Sequence, residues 1–166
     1  MEKVKLHTPD MVMLLETKTR SSRYVFIKKV LGMPFMHAME IYYYFFVIEV
    51  GIKDVEKGCV WRFFGVYASI DDPIRRNQWQ ALRTRILTCQ EAVMVMEDFN
   101  DFLDRAEKQG GNSRSERSML DFRSFVTDLS DLGFVGYPFT WRNRRLEEGI
   151  QERLDRGFAD DNWLRF

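Results

Sequence analysis

Short β-forming runs alternate with helical apolar stripes along this chain, and that alternation indicates a layered α/β architecture. Residues 11–16 (MVMLLE) follow Pro9-Asp10 and read as a short buried strand ending in an acid. Over residues 21–31, Tyr24, Ile27, Val30 and Leu31 share a helical face, with Gly32 as the stop. Residues 41–50 read as a strand and 51–58 as a charged turn. Residues 60–67 (VWRFFGVY) form the next strand. Asp71-Asp72-Pro73 then opens a helix, since acids suit its dipole and proline is tolerated in its first turn. Trp79, Leu82 and Ile86 give that helix its apolar stripe. Residues 92–96 (AVMVM) are a strand, and 109–117 (QGGNSRSER) a polar loop. Ser113 and Glu116 have capping-box spacing for a following helix, which should turn Met119, Leu120, Phe122, Phe125, Val126 and Leu129 inward. Gly136 and Pro138 mark 134–141 as a turn leading into a strand, and 150–158 alternates well enough to be another.

The chain has 166 residues, which suits one domain with a real core and is short for two. With 45% apolar and 30% charged residues it has an ordinary globular composition. A formal net charge of zero argues against a general polyanion binder but leaves local patches open. Arg75, Arg76, Arg83 and Arg85 form one basic stretch, and Arg142, Arg144 and Arg145 another. Cys59 and Cys89 are widely spaced, without a secretory signal, and read as buried thiols of a reducing compartment. With only His7 and His37 to join them, a Cys/His metal site is not expected. The apolar run at 41–48 (IYYYFFVI) falls short of the roughly 20 residues that span a bilayer, so no membrane role is expected.

Three expected strand ends carry polar groups: Glu16, Tyr67, and Asp98 with Asn100. In layered α/β proteins, sites gather beyond strand ends. Carboxylates, an amide and a phenol, without His or Cys, suit a hard cation such as Mg2+, which neutralises phosphoryl oxygens and helps activate water. On composition by itself, three solvated strand ends are the more ordinary reading.

Longer stretches carry a resemblance. They are PDMVMLLETKTRSS at 9–22, WRFFGVYA at 61–68, EDFNDFL at 97–103, EKQGGNSRSERSMLDFRSFVTDLSDLGFVGYPFTWRN at 107–143 and IQERLDRGFADDNWL at 150–164. In this order they resemble the endonuclease/exonuclease/phosphatase superfamily, and within it the endonuclease domain of plant non-LTR (LINE-type) retroelement polyproteins. The resemblance implies a single α/β domain, two β-sheets flanked by helices in a four-layer sandwich. It also implies hydrolysis of a DNA phosphodiester with Mg2+, or Mn2+ in its place, and an intracellular, nuclear setting. By the same resemblance, Glu16 ligates the metal, Tyr67 hydrogen-bonds the phosphate, and Asp98 orients or deprotonates the attacking water. Asn100 holds the phosphate and the Asp98 network, and Asp155 matches the acid that orients a catalytic histidine. Phe139 and Trp141 stand where the family places aromatics near DNA, although a tryptophan such as Trp141 is more often core than a base wedge. Arg142, Arg144 and Arg145 could track a phosphate backbone or form a solvated turn.

The sequence departs from the family in four places. It begins at the equivalent of the second strand, without the first strand and its asparagine. Glu97 replaces the glycine of Gly-Asp-Phe-Asn, adding bulk and a like charge that raises a carboxylate pKa beside Asp98. Residues 34–58 do not look like the family's glycine-rich strand pair, which either survives there in altered form or is replaced by foreign sequence, and the terminal Ser-Asp-His element is not reached by Phe166. The expectation is therefore a truncated endonuclease of little or no activity, since losing a general acid/base costs about 10²–10⁴ in rate. A noncatalytic nucleic-acid-binding module is the alternative. A phosphatase of small phosphoesters shares the metal chemistry, but the retroelement-like loop at 107–125 argues against it.

Overall fold

Residues 36–43, 46–55, 57–143 and 149–166 are described by the structure, a computed structural model, with side chains described from residue 46 onward. The expected strand at 11–16 and helix at 21–31 lie outside the described residues.

The described chain begins with a hairpin. β1 (Met36–Tyr43) pairs antiparallel with β2 (Val47–Asp54), which pairs antiparallel with β3 (Cys59–Tyr67). One strand was expected over 41–50; two are found, because the run is apolar on both sides of the reversal and no polar residue marks it. β2 also runs on through Asp54, so the turn expected from Gly51 is confined to the residues before Cys59. The Asp54 carboxylate closes it by accepting the Lys57 N–H at 2.9 Å. Residues 36–54, expected to differ from the resemblance, thus form a strand pair.

Helix α1 (Asp72–Leu87) then crosses from β3 to β4 (Ala92–Asp98), and the two strands lie parallel. Its start is built as the sequence suggests: the Asp71 side chain accepts the Ile74 N–H, and proline stands in the first turn. After β4 come β5 (Lys108–Gln109), α2 (Glu116–Phe125), β6 (Ser130–Asp131), β7 (Trp141–Asn143), β8 (Ile150–Glu152) and β9 (Asp155–Ala159). Six strands make one sheet in the order β1-β2-β3-β4-β9-β6, and β5-β8-β7 make a second. The strand expected over 150–158 is broken at Arg153-Leu154, where the chain leaves one sheet for the other. Leu154 at this break is buried against Phe102 and Met119, so the apolar pattern continues although the strand does not.

The large sheet is buried on both faces. Phe64, Val66, Val93, Val95 and Phe158 pack under the helices with Trp79, Leu82, Phe99, Phe122 and Phe125. Trp79 stacks on Phe125 with ring centroids 4.9 Å apart, and Phe99 meets Phe158 edge-on at 5.3 Å. On the other face lie Ile52, Trp61, Phe63, Ala92 and Met94, with Trp163 against them. Period-two alternation explains the division, since Phe63 and Phe64, or Met94 and Val95, point to opposite faces. Of the residues expected inward on α2, Leu120 is instead exposed, because it falls outside the arc shared by Met119, Phe122 and Phe125.

Cys59 and Cys89 are free, half-buried thiols. Among the described residues, no helix is long and apolar enough to cross a membrane.

The cap of α2 is also corrected. Ser115, and not Ser113, is the N-cap, its hydroxyl accepting the Ser118 N–H at 3.1 Å. Ser115→Ala should therefore cost about 1 kcal/mol, and Ser113→Ala less than about 0.5 kcal/mol. Urea unfolding of the two variants checks this, and the reverse order would refute the assignment.

Candidate active site at the ends of strands β3, β4 and β9

The pairing of the central strands decides which side chains meet. In the parallel β3–β4 ladder Tyr67 is opposite Asp98, and in the antiparallel β4–β9 ladder Asp98 is opposite Asp155. The three stand in one row at the same end of the sheet, and side chains in one row share a face. Tyr67 is half exposed, at 50%. Asp155 is exposed and Asp98 half-buried, so the row is open to a ligand from solvent.

The turn after β4 is shaped by its own polar groups. Asp98 accepts the Asn100 N–H on Oδ1 at 2.9 Å, and its carbonyl accepts the Ala68 N–H at 2.9 Å. Asn100 adopts φ 50°, a left-handed conformation that asparagine tolerates. Its buried side-chain amide donates to the Ala68 carbonyl at 2.8 Å. The turn carrying Asn100 and the chain leaving Tyr67 are thereby tied to each other.

Glu97 takes φ 102° within β4, a conformation that L side chains rarely adopt and glycine accepts freely. Burial, then Asp155, then Asp98 push its carboxyl above the usual glutamate range. Arg156, its cross-strand neighbour, is held by Glu107 and Asp131. Glu97 thus adds backbone strain and a further carboxylate at the candidate site.

Thr140 was not singled out by its chemistry, although it lies within the quoted FTW element. Its hydroxyl accepts the N–H groups of Leu154 and Asp155, each at 3.0 Å. This fixes the start of β9 and brings β7 to the edge of the site. Trp141, the first residue of β7, is 43% exposed, and Arg142 is exposed beside it. The reading of Trp141 as core is therefore corrected: β7 is three residues long and this side of it faces solvent. Glu16, Arg144 and Arg145 lie outside the described residues.

The arginine stretch on α1 is not a free basic face. Arg75 pairs with Asp101, Arg76 with Asp121, Arg83 with Asp128 and Arg85 with Glu49. Sequence order hides this, since each acid comes from a distant segment.

For a hard cation, the oxygens of Asp98, Asn100 and Glu97 are of the right chemical kind. Among the described residues, no three His, Cys, Asp or Glu side chains converge as a metal site. The expected ligand Glu16 is outside them, so the described part of the site supplies partners for a cation without enclosing one.

No protein-family model and no curated protein matches the chain. Solved structures do. Humanized D. rerio TDP2 is similar with a TM-score of 0.69 at 14% identity, over 96% of this chain and 73% of that one. The endonuclease domain of TRAS1, a telomere-specific non-LTR retrotransposon, gives 0.54 at 18% identity, over 76% of this chain and 57% of that one. A beta toxin from Staphylococcus aureus gives 0.52 at 16% identity, over 70% of this chain and 43% of that one. The chain thus spans less than two thirds of the last two. These likenesses show the fold, a partial endonuclease/exonuclease/phosphatase sandwich.

Replacing Glu97 separates strain from charge. Glu97→Gly should stabilise the protein, because the φ strain is worth on the order of 1–3 kcal/mol and glycine's added unfolded-state entropy returns only about 0.5–1 kcal/mol. Glu97→Gln keeps the strain and removes the charge. A carboxyl whose folded pKa is raised binds its proton more tightly when folded, so stability falls as pH rises through that pKa. The gain from Glu97→Gln should therefore be full at neutral pH and vanish below the ordinary glutamate value of 4.5. Denaturant midpoints between pH 4 and 7.5 check both, and a destabilising Glu97→Gly would refute the strain.

Proposed function

We propose that this protein is a metal-dependent phosphodiesterase of the DNA-nicking kind, derived from a LINE-type retroelement endonuclease and weakened in its present form. The observation that carries the reading is the row of Tyr67, Asp98 and Asp155, with Asn100 on the turn that follows. Its support is the fold shared with the TRAS1 endonuclease domain and with a D. rerio TDP2 complexed with single strand DNA product, at a TM-score of 0.61 for the latter.

In this reading Asp98 orients and deprotonates the attacking water. It is suited to that by its fixed carboxylate, one oxygen of which already holds the Asn100 N–H. The Tyr67 hydroxyl donates to a phosphate oxygen, and the Asn100 amide to another through the hydrogen it does not give to Ala68. Asp155 stands where the resemblance places the acid beside a catalytic histidine, and with no histidine in this row the leaving oxygen takes its proton from water. Mg2+, held by Glu16 with oxygens of this row, would neutralise charge on the phosphoryl group. Trp141 and Arg142, with Arg144 and Arg145, contact the nucleic acid beyond the scissile bond. The weakening is assigned to Glu97, whose carboxylate adds negative charge where an anionic substrate must approach.

Nicking of supercoiled plasmid by purified protein tests this. Slow nicking in Mg2+ is expected, lost in chelator, reduced at least about 100-fold by Asp98→Ala, and raised by Glu97→Gly. Nicking that survives Asp98→Ala or chelator would overturn it.

The exposure of Trp141 and Arg142 favours one second reading, a noncatalytic binder of nucleic acid. It predicts binding that persists in chelator, ignores Asp98→Ala and weakens steeply with salt. On either reading, Trp141→Ala should weaken binding of a labelled single strand by about 1–3 kcal/mol if a base stacks there. Unchanged affinity in a fluorescence titration would remove Trp141 from the interface.

A further inference from the structure

We infer that Arg75 and Asp101 are positioning residues of this site: one buried guanidinium holds together the two strand ends that carry Tyr67 and Asp98. The inference rests on the reading of the site given above, and its first test does not require activity.

The Arg75 side chain is 1% exposed, although it stands in a stretch of arginines on an exposed-looking helix. Its Nε donates to Asp101 Oδ2 at 2.9 Å, and its Nη1 to the Ser69 carbonyl at 2.8 Å. Its Nη2 donates to Ser118 Oγ at 2.8 Å and also to Asp72. Ser118 Oγ donates in turn to Asp101 Oδ2 at 2.8 Å, and the other Asp101 oxygen accepts the Phe102 N–H at 3.0 Å. Ser69 lies two residues beyond Tyr67, and Asp101 is the residue after Asn100.

A single planar group therefore grips the segment leaving β3, the turn leaving β4, and both helices. A second arginine reinforces the same turn: Arg114 donates to the Asn100 carbonyl at 3.1 Å and lies over the Phe102 ring at 4.9 Å. The Gln78 side chain does the same for β3, accepting the Ser69 N–H at 2.8 Å. Displacing this guanidinium would break several hydrogen bonds at once and weaken its pairing with Asp101, both side chains being buried, so the arrangement tolerates little displacement. That rigidity is what a constellation of Tyr67, Asp98 and Asn100 needs, because misplacing reacting groups by about 1 Å costs about 10²-fold in rate. Arginine is required for geometric reasons, since lysine would keep the charge but lacks the fork of donors that reaches these four acceptors.

Asp101→Asn keeps the shape and removes the buried one of the two carboxylate charges that face Arg75. Backbone hydrogen exchange by NMR should show the Ala68 and Asn100 amides exchanging at least about tenfold faster relative to wild type, while Phe64 and Val95 in the strand interiors change less than about twofold. Arg75→Lys should reproduce this and not rescue it. Uniform acceleration would mean a purely structural ion pair and overturn the inference, as would no acceleration at all. If Asp101→Asn does not fold, Ser118→Ala, which removes one bridging hydroxyl, is read by the same criterion. In the nicking assay the same variants should lower kcat at least about tenfold with KM unchanged, and a change in KM alone would overturn the inference. A wild-type protein that never nicks would refute the proposed function, while the exchange pattern would still decide the positioning role.

Discussion

The parallel pairing of β3 with β4 is the constraint on which the rest of this structure depends. Parallel neighbours need a crossover, and α1 supplies it, so the helix and its apolar stripe are fixed on one face of the sheet. Trp79 and Leu82 are then committed to that face, and α2 completes it through Phe122 and Phe125. The same pairing sends both strands to one end of the sheet. Tyr67 and Asp98 become neighbours there although 31 positions separate them in sequence. A shift of one residue in this ladder would turn every side chain of β4 to the other face, exchanging Val93 and Val95 for Ala92 and Met94 under the helices.

Charge is organised by the same geometry. The chain is neutral overall, and much of that neutrality is local. Buried Glu49 is held by Arg62 and Arg85, and buried Arg156 by Glu107 and Asp131. Such pairs add little net stability against apolar replacements, but breaking one leaves a buried charge without a partner. They therefore act as registry pins between segments far apart in sequence. At the candidate site the balance is different. Asp98, Asp155 and Glu97 gather at one end of the sheet, and the raised Glu97 carboxyl records both its burial and its acidic neighbours.

Several elements were legible because their signals are local. The Asp71 cap with proline behind it, the stripe of Trp79 and Leu82, and the alternation in VWRFFGVY each need only a few adjacent residues to be read. Where the local signal was uniform it failed. A run apolar on both sides of a reversal concealed the β1–β2 hairpin, and Leu154 kept the apolar pattern going across the break between β8 and β9. Two serines, Ser113 and Ser115, offered themselves as caps, and the three-residue spacing to Glu116 favoured the wrong one. Of the candidate site, Tyr67, Asp98 and Asn100 stood out as polar groups at strand ends, Asp155 was picked out by resemblance, and the fold brings those four to one end of the sheet. Glu16 lies outside the described residues, and nothing about Thr140 or Arg75 distinguished them beforehand.

By itself the sequence determined the class of fold, the place of the central strands and of both described helices, and the identity of the polar groups at the strand ends. These follow from periodicity, caps and residue chemistry, which act over a few positions along the chain. Only the tertiary structure decided which of those groups stand together. It also decided that a stretch of arginines is ion-paired rather than free, and that Glu97 occupies a backbone conformation suited to glycine. The physical reason is that partners for charge and for backbone hydrogen bonds come from strand pairing and helix packing, and those join residues that no local pattern relates.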